Sequence, residues 1–229
     1  MGRNFGSLFS GVGGIDLGLE RAGWSCAWQV ENDPYCNKVL AKHWPSVRRY
    51  GDIKELDTRD LESVDLVCGG FPCQDIARVG RRAGLGGAKS GLWSEFYRVV
   101  RDLEPRWVLV ENSTSLTKQG LGEILADLSE IGYDAEWDCL PAQAFGAPHI
   151  RDRIYLLAYP RGGRRSSPDE TVFAGWTGSQ LHGGWTLEPG VGRVADGVPA
   201  RMDRVRCLGN AVVPRVAEWL GQRIMEMAA

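Results

Sequence analysis

SLFSGVGGIDLGLERAG, residues 7–23, follows the short apolar run Phe5–Phe9 and opens the amphipathic stretch Ile15–Ala22, so it reads as strand, glycine-rich turn and helix. Glycine allows the backbone to approach a ligand closely at a helix N-terminus, where unpaired N–H groups point outward, and this nominates Gly11, Gly13 and Gly14 for a ligand. The dinucleotide fingerprint G-x-G-x-x-G, started at Gly11, needs a glycine at position 16 and meets Asp16 instead. A nicotinamide enzyme is thereby demoted without being excluded. Glu31 closes the next apolar run, Ser25–Val30, about 20 residues beyond the glycines, where an acid can accept from ribose hydroxyls. Asp52, in GDI, could accept from an adenine amino group.

Outward from this turn the same rhythm continues. Val64–Val67, Trp107–Val110, Asp134–Leu140 and Arg153–Ala158 read as further strands, and Tyr35–His43, Leu92–Leu103 and Leu121–Ile131 as helices between them. The clearest helix carries Leu92, Phe96, Val99, Val100 and Leu103 on one face and stops before Pro105. Such alternation predicts an α/β protein with a Rossmann-like, doubly wound parallel sheet and helices on both faces. From 159 to 206 the period is lost among Gly, Pro, Ser, Arg and isolated Trp, which predicts a small irregular insert. Pro214 then suits a first helical position, with Val216, Leu220, Ile224 and Met227 on one face. The expected organisation is thus a main domain over 1–158, the insert over 159–206, and a segment, 207–229, returning to the first domain.

The 229 residues are 43% hydrophobic and 24% charged, which excludes disordered, collagenous and membrane-spanning classes. The N-terminus shows neither the basic nor the apolar region of a signal peptide. Six cysteines, Cys26, Cys36, Cys68, Cys73, Cys139 and Cys207, have no paired metal-site spacing, so a reduced cytoplasmic chain without a metal is expected. Residues 1–150 carry 16 basic and 21 acidic side chains, and 151–229 carry 11 and 8. Of the 27 basic residues 22 are arginine, a bias that suits phosphate and base edges, although a solvated surface accounts for it equally.

CGGFPCQD, 68–75, leaves a strand at the carboxyl edge of the sheet, where open α/β folds bind ligands. Cys73 there is a candidate nucleophile beside Pro72, whose ring stiffens the turn, while Cys26, Cys36, Cys68, Cys139 and Cys207 read as packing. Glu111, in VLVENS, ends an apolar strand, where an acid is costly unless paired, working or capping the next helix. Arg151 and Arg153, at i and i+2, share one face of an extended segment, which suits an anion or a charge-guarded edge strand.

Taken in order, SLFSGVGG, VEND, GDI, GGFPCQ, SGLWSEF, ENS, FGAPHIRDR and LGNAVVP resemble the DNA (cytosine-5)-methyltransferase family over the whole chain outside 159–200. The resemblance implies S-adenosylmethionine as methyl donor and cytosine in double-stranded DNA as substrate. It implies Cys73 as the nucleophile on carbon 6, Glu111 toward ring nitrogen 3, Arg153 toward the base carbonyl, and Arg151 bracing Glu111 or a phosphate. The flipped cytosine that such chemistry needs is a further implication. Donor binding would fall to Phe9, Gly11, Gly13, Gly14, Glu31, Asn32, Asp52, Ile53, Pro72, Leu92, Asn210 and Ala211. Arg81, Arg82, Arg161, Arg164, Arg165, Arg193 and Arg204 are expected on nucleic acid, with 159–206 as target-recognition insert. Ser113 stands where the family has valine and His149 where it has glutamine, and the short insert resembles compact phage or prophage members. A monomer is expected, with a cognate restriction endonuclease as partner. An RNA cytosine-5 methyltransferase and a catalytically silent donor- and DNA-binding module are the alternatives.

Overall fold

The computed structural model of the chain describes residues 3–72, 91–162, 171–174, 176, 178, 203, 207 and 209–227. Cys73, Arg81, Arg82, Arg164, Arg165, Arg193 and Arg204 lie outside the described residues.

Seven strands form one sheet: β1 (Asn4–Leu8), β2 (Ser25–Val30), β3 (Arg48–Tyr50), β4 (Leu66–Gly69), β5 (Trp107–Ser113), β6 (Tyr133–Pro141) and β7 (Asp152–Pro160). Their spatial order is β3-β2-β1-β4-β5-β7-β6. The helices are α1 (Gly14–Arg21), α2 (Pro34–His43), α3 (Leu92–Leu103), α4 (Leu121–Glu130) and α5 (Pro214–Met227). Strands β1 to β5 pair in parallel, as the βα rhythm predicts. The rhythm does not foretell β7, which runs antiparallel to both β5 and β6 and makes the sheet mixed. Its connection from β6, residues 142–151, holds only a 3₁₀ turn at Ala142–Phe145 and is too short for a crossover. One antiparallel strand therefore delivers its amino end, with Arg151 and Arg153, to the edge where β1, β4 and β5 deliver their carboxyl ends.

Alternation along the strands fills two cores. Val108 and Val110 of β5 meet Trp93, Phe96 and Val100 of α3 and Ile124 of α4 on one face. Trp107 and Leu109 meet Ile15 and Leu19 of α1 and Val216, Leu220 and Ile224 of α5 on the other. Helix α5 lies close against α1 because Gly18 has no side chain: a Cβ there would stand 2.3 Å from the Pro214 carbonyl oxygen. Trp24 Nε1 locks the pair by donating to the Gly221 carbonyl at 3.1 Å. β7 runs to Pro160, two residues past the boundary expected at 158. Val172 and Phe173 are buried in the second core, and Trp176 stacks on Phe145 with centroids 5.3 Å apart.

Candidate active site

A cavity of about 630 Å³ opens at the carboxyl edge of the parallel strands, across β1, β2, β4 and β5 and the segment before α5. Phe9, Gly11, Gly14, Glu31, Asn32, Asp52, Ile53, Pro72, Leu92, Glu111, Arg151, Arg153, Asn210 and Ala211 all line it.

At its first end the turn after β1 is built from left-handed backbone, with φ of +54° at Phe9, +57° at Gly11 and +81° at Gly13. Glu31 fastens this turn to β2: one carboxylate oxygen accepts from Gly11 N at 2.8 Å and the other from Asp33 N at 2.7 Å. Each oxygen keeps a lone pair, so the carboxylate is aimed and still able to accept. Gly13 departs from its expected place, because it does not line this cavity. Its missing side chain makes room for the Trp44 ring, 2.4 Å from where a Cβ would stand. Gly14 similarly makes room for the protein itself, with the Val212 carbonyl oxygen 2.4 Å from its would-be Cβ. The glycines thus let α2 and the 210–213 segment close around the turn.

Asp16, which spoils the dinucleotide fingerprint, is fully buried beneath the turn. It accepts from Ser7 Oγ at 3.0 Å and Gln29 Nε2 at 2.8 Å, joining α1 to β1 and β2. Burial outweighs those two donors and pushes its carboxyl up to about 6. Nothing in the spacing of the sequence marks Asp16 as a brace.

At the other end stands Glu111, 7% exposed and in the interior of β5, which runs on to Ser113 because β7 pairs with it that far. Arg153 Nε lies 3.2 Å from Glu111 Oε1, at ion-pair distance but without the alignment of a hydrogen bond, so that buried oxygen keeps an unused acceptor site. Burial pushes the Glu111 carboxyl up to about 7 against the opposing pull of Arg153 and Arg151. Gly70, the residue after β4, presses on it: a Cβ there would stand 2.6 Å from Glu111 Oε2.

Arg151 and Arg153 converge on this acid, though not by strand alternation. Arg151 precedes β7 with φ +38°, and its Nη1 donates to the Gly209 carbonyl at 2.7 Å. The edge-strand reading of the two arginines falls, because β7 lies between β5 and β6. Asn112, missed in the sequence, is 2% exposed and donates from Nδ2 to the Phe71 carbonyl at 3.0 Å, holding the residue before Pro72. Arg161 follows the carboxyl end of β7, at the opposite edge of the sheet from the cavity, against Ser129 Oγ at 2.8 Å and Asp134 at 3.4 Å. Among the described residues no helix is long and apolar enough to cross a membrane.

The arrangement offers an aimed carboxylate beside a glycine turn, an apolar wall of Phe9, Ile53 and Leu92, and a buried acid poised near neutrality between two guanidiniums. Residues 3–172 match the family model for C-5 cytosine-specific DNA methylase. The chain is 39% identical over 160 residues to the type II methyltransferase M2.BsuMI of Bacillus subtilis, covering 66% of this chain and 41% of that protein. It is 33% identical over 186 residues to M.AquIA of Picosynechococcus, covering 72% and 75%. The chain spans about two-fifths of the length of the first curated relatives it matches. A crystal structure described as a DNA modification methyltransferase encoded within an E. coli prophage superposes with TM-score 0.57 at 28% identity, over 69% of this chain and 46% of that one. The Entamoeba histolytica methyltransferase EhMeth shares the fold, with TM-score 0.69 at 14% identity over 100% and 99% of the two chains.

Proposed function

The chain belongs to the C-5 cytosine-specific DNA methylase family, and from that premise we propose that it transfers a methyl group from S-adenosylmethionine to carbon 5 of a cytosine flipped out of double-stranded DNA. The observation that carries this reading is the buried Glu111 carboxyl, held up at about 7 in a cavity shared with Arg151, Arg153 and the Glu31 turn.

The residues fit the donor. Glu31, aimed by Gly11 N–H and Asp33 N–H, can accept from two ribose hydroxyls. Phe9, Ile53 and Leu92 offer the apolar wall an adenine needs, with Asp52 for its amino group and Asn210 and Ala211 closing from the α5 side. When bound, S-adenosylmethionine supplies an electrophilic methyl group on a sulfonium.

Cytosine carbon 5 is too poor a nucleophile to take that methyl group unaided. We assign to Cys73, which follows the cavity-lining Pro72 in sequence, the thiolate that adds to carbon 6. The negative charge this develops runs to ring nitrogen 3, where Glu111, half protonated near neutrality, donates its proton. Arg153 stabilises the base carbonyl oxygen, and Arg151 holds the acid in place from the 209 backbone. Carbon 5 then takes the methyl group, a base removes the carbon 5 proton, and the Cys73–carbon 6 bond breaks. Residues 159–206 provide target recognition in this reading, through Arg164, Arg165, Arg193 and Arg204, with Arg81 and Arg82 also binding nucleic acid. Arg161 is left out of that set, since it faces away from the cavity. The protein acts as a monomer in the cytoplasm, beside a cognate restriction endonuclease.

Incubation with donor and duplex DNA containing 5-fluorocytosine tests the reading. Fluorine cannot leave as a cation, so a protein–DNA band that survives denaturant is expected, absent for Cys73→Ala. A band formed on tRNA carrying 5-fluorocytosine and absent on DNA would transfer the chemistry to RNA, and no band on either would overturn it.

A further inference from the structure

In the wall of the cavity, where α2 faces the segment before α5, Cys36 and Cys207 bring their sulfurs to 3.1 Å across 171 positions of sequence. Both side chains are buried, at 5% and 6% exposure, yet both line the cavity. Packing explains two small apolar side chains at this place, but it does not explain why the sulfurs meet head to head. Their separation is only about 1 Å longer than a disulfide bond of roughly 2.05 Å.

A soft metal ion is the other chemistry that could use them, because the Asp33 carboxylate stands within 4.8 Å of both sulfurs. Two features turn against it. Asp33 Oδ1 already caps α2 by accepting from Tyr35 N at 2.8 Å and Cys36 N at 3.0 Å. Two thiolates on tetrahedral zinc, with Zn–S of about 2.3 Å, stand roughly 3.7 Å apart, wider than the pair observed.

We infer that Cys36 and Cys207 are a site of reversible oxidation to a disulfide by peroxide-class oxidants, and that a ligand filling the cavity slows the reaction. Only the second clause rests on the donor reading above. The cavity brings a molecule as small as hydrogen peroxide to both sulfurs, whereas the neighbouring hollow that Gly13, Tyr35 and His149 line reaches Cys207 alone. The Cys207 thiolate attacks one peroxide oxygen, the O–O bond breaks, and the departing hydroxide takes up the thiol proton as water, leaving a sulfenic acid on Cys207. The Cys36 sulfur then attacks that sulfur: an S–S bond forms, the S–O bond breaks, and hydroxide leaves with the Cys36 proton as a second water. Two thiols lose two electrons and one peroxide gains them. Cys36 takes the second role because burial, the Cys207 contact and the Glu31 and Asp33 carboxylates push its thiol up, keeping it protonated until the sulfenic acid forms. The bond would pin the wall carrying Asn210 and Ala211 to α2.

Peptide mapping of the full chain under non-reducing conditions, after hydrogen peroxide with and without S-adenosylhomocysteine, tests both clauses. A linked pair of peptides containing positions 36 and 207, lost on addition of dithiothreitol, is expected. S-adenosylhomocysteine at ten times its dissociation constant should slow the linkage about tenfold, in proportion to the protein left with an open cavity. Cys36→Ser should leave a sulfenic acid on Cys207 that dimedone traps, and Cys207→Ser should leave none at position 36. Oxidation of either thiol to sulfinic acid in the wild type without a linked peptide would overturn the inference. A linkage formed equally fast with bound S-adenosylhomocysteine would uphold the disulfide and overturn this cavity as the oxidant's route, leaving the hollow beside Gly13 and Tyr35 as the way to Cys207. The wild type carries the main readout, so a variant that fails to fold does not decide the matter.

Discussion

Replacing Glu111 with glutamine should make the protein more stable while removing its chemistry. In the folded chain the carboxyl is pushed from 4.5 up to about 7. Between those values the native state holds a proton that the unfolded chain releases, so stability is full below pH 4.5 and is lost as pH rises to 7. At about 1.4 kcal/mol per pH unit, the ionised acid costs roughly 3 kcal/mol at pH 8. The attraction of Arg151 and Arg153 is already netted into that figure, since both oppose the upward push. Asp16 imposes a similar fall, but only from 3.8 to about 6, so the interval between pH 6 and 7 isolates Glu111. Urea denaturation of wild type and Glu111→Gln at pH 5, 6, 7 and 8 should show the variant gaining on the wild type across that interval. At pH 8 its advantage should reach up to about 3 kcal/mol. Methyl transfer should drop by roughly 10²–10⁴, with donor affinity little changed. Parallel stability profiles from pH 6 to 8 would refute the reasoning, because the buried acid would then carry no charge penalty.

Gly70→Ala places a Cβ 2.6 Å from Glu111 Oε2 and should displace that carboxylate, cutting single-turnover methylation more than stability; an unchanged rate would remove Gly70 from the positioning of the acid. Gly14→Ala drives a Cβ against the Val212 backbone at 2.4 Å, where no flexible side chain can yield. A stability loss of about 1–3 kcal/mol and weaker donor binding by titration are expected. Asn112→Ala removes the donor to the Phe71 carbonyl and should cost about 1–3 kcal/mol. Its methylation rate should fall further than its donor affinity, and equal losses would indicate a purely structural role.

Elements with strong periodicity were legible: Leu92–Leu103 and Pro214–Met227 lie where their apolar faces place them. β3 was not, because Arg48–Tyr50 is three residues of RRY with no alternation to read. Strand direction is not written in local pattern either, and only the short 142–151 connection fixes β7 as antiparallel. Glu111 stood out as an acid in an apolar run, whereas its dependence on Gly70 needs β4 and β5 side by side. Gly13 and Gly14 were noticed for a ligand, yet the bodies they admit are Trp44 and Val212, remote in sequence. The Cys36–Cys207 contact joins segments 171 positions apart and is invisible before the chain closes.

The seating of α5 on α1 has a consequence for the time course of folding. Trp24 waits for a partner 197 positions away. During synthesis α1 leaves the ribosome with Ile15 and Leu19 uncovered, and it stays so until α5 follows. Loop closure over such a span costs entropy before any contact rewards it, which slows folding and prolongs the exposure of apolar surface. The glycine turn sits between these helices and β1, so its left-handed geometry sets late, when the 210–213 segment arrives over Gly14. Ligand-binding competence should therefore appear in the slowest phase of refolding, well after the sheet has formed.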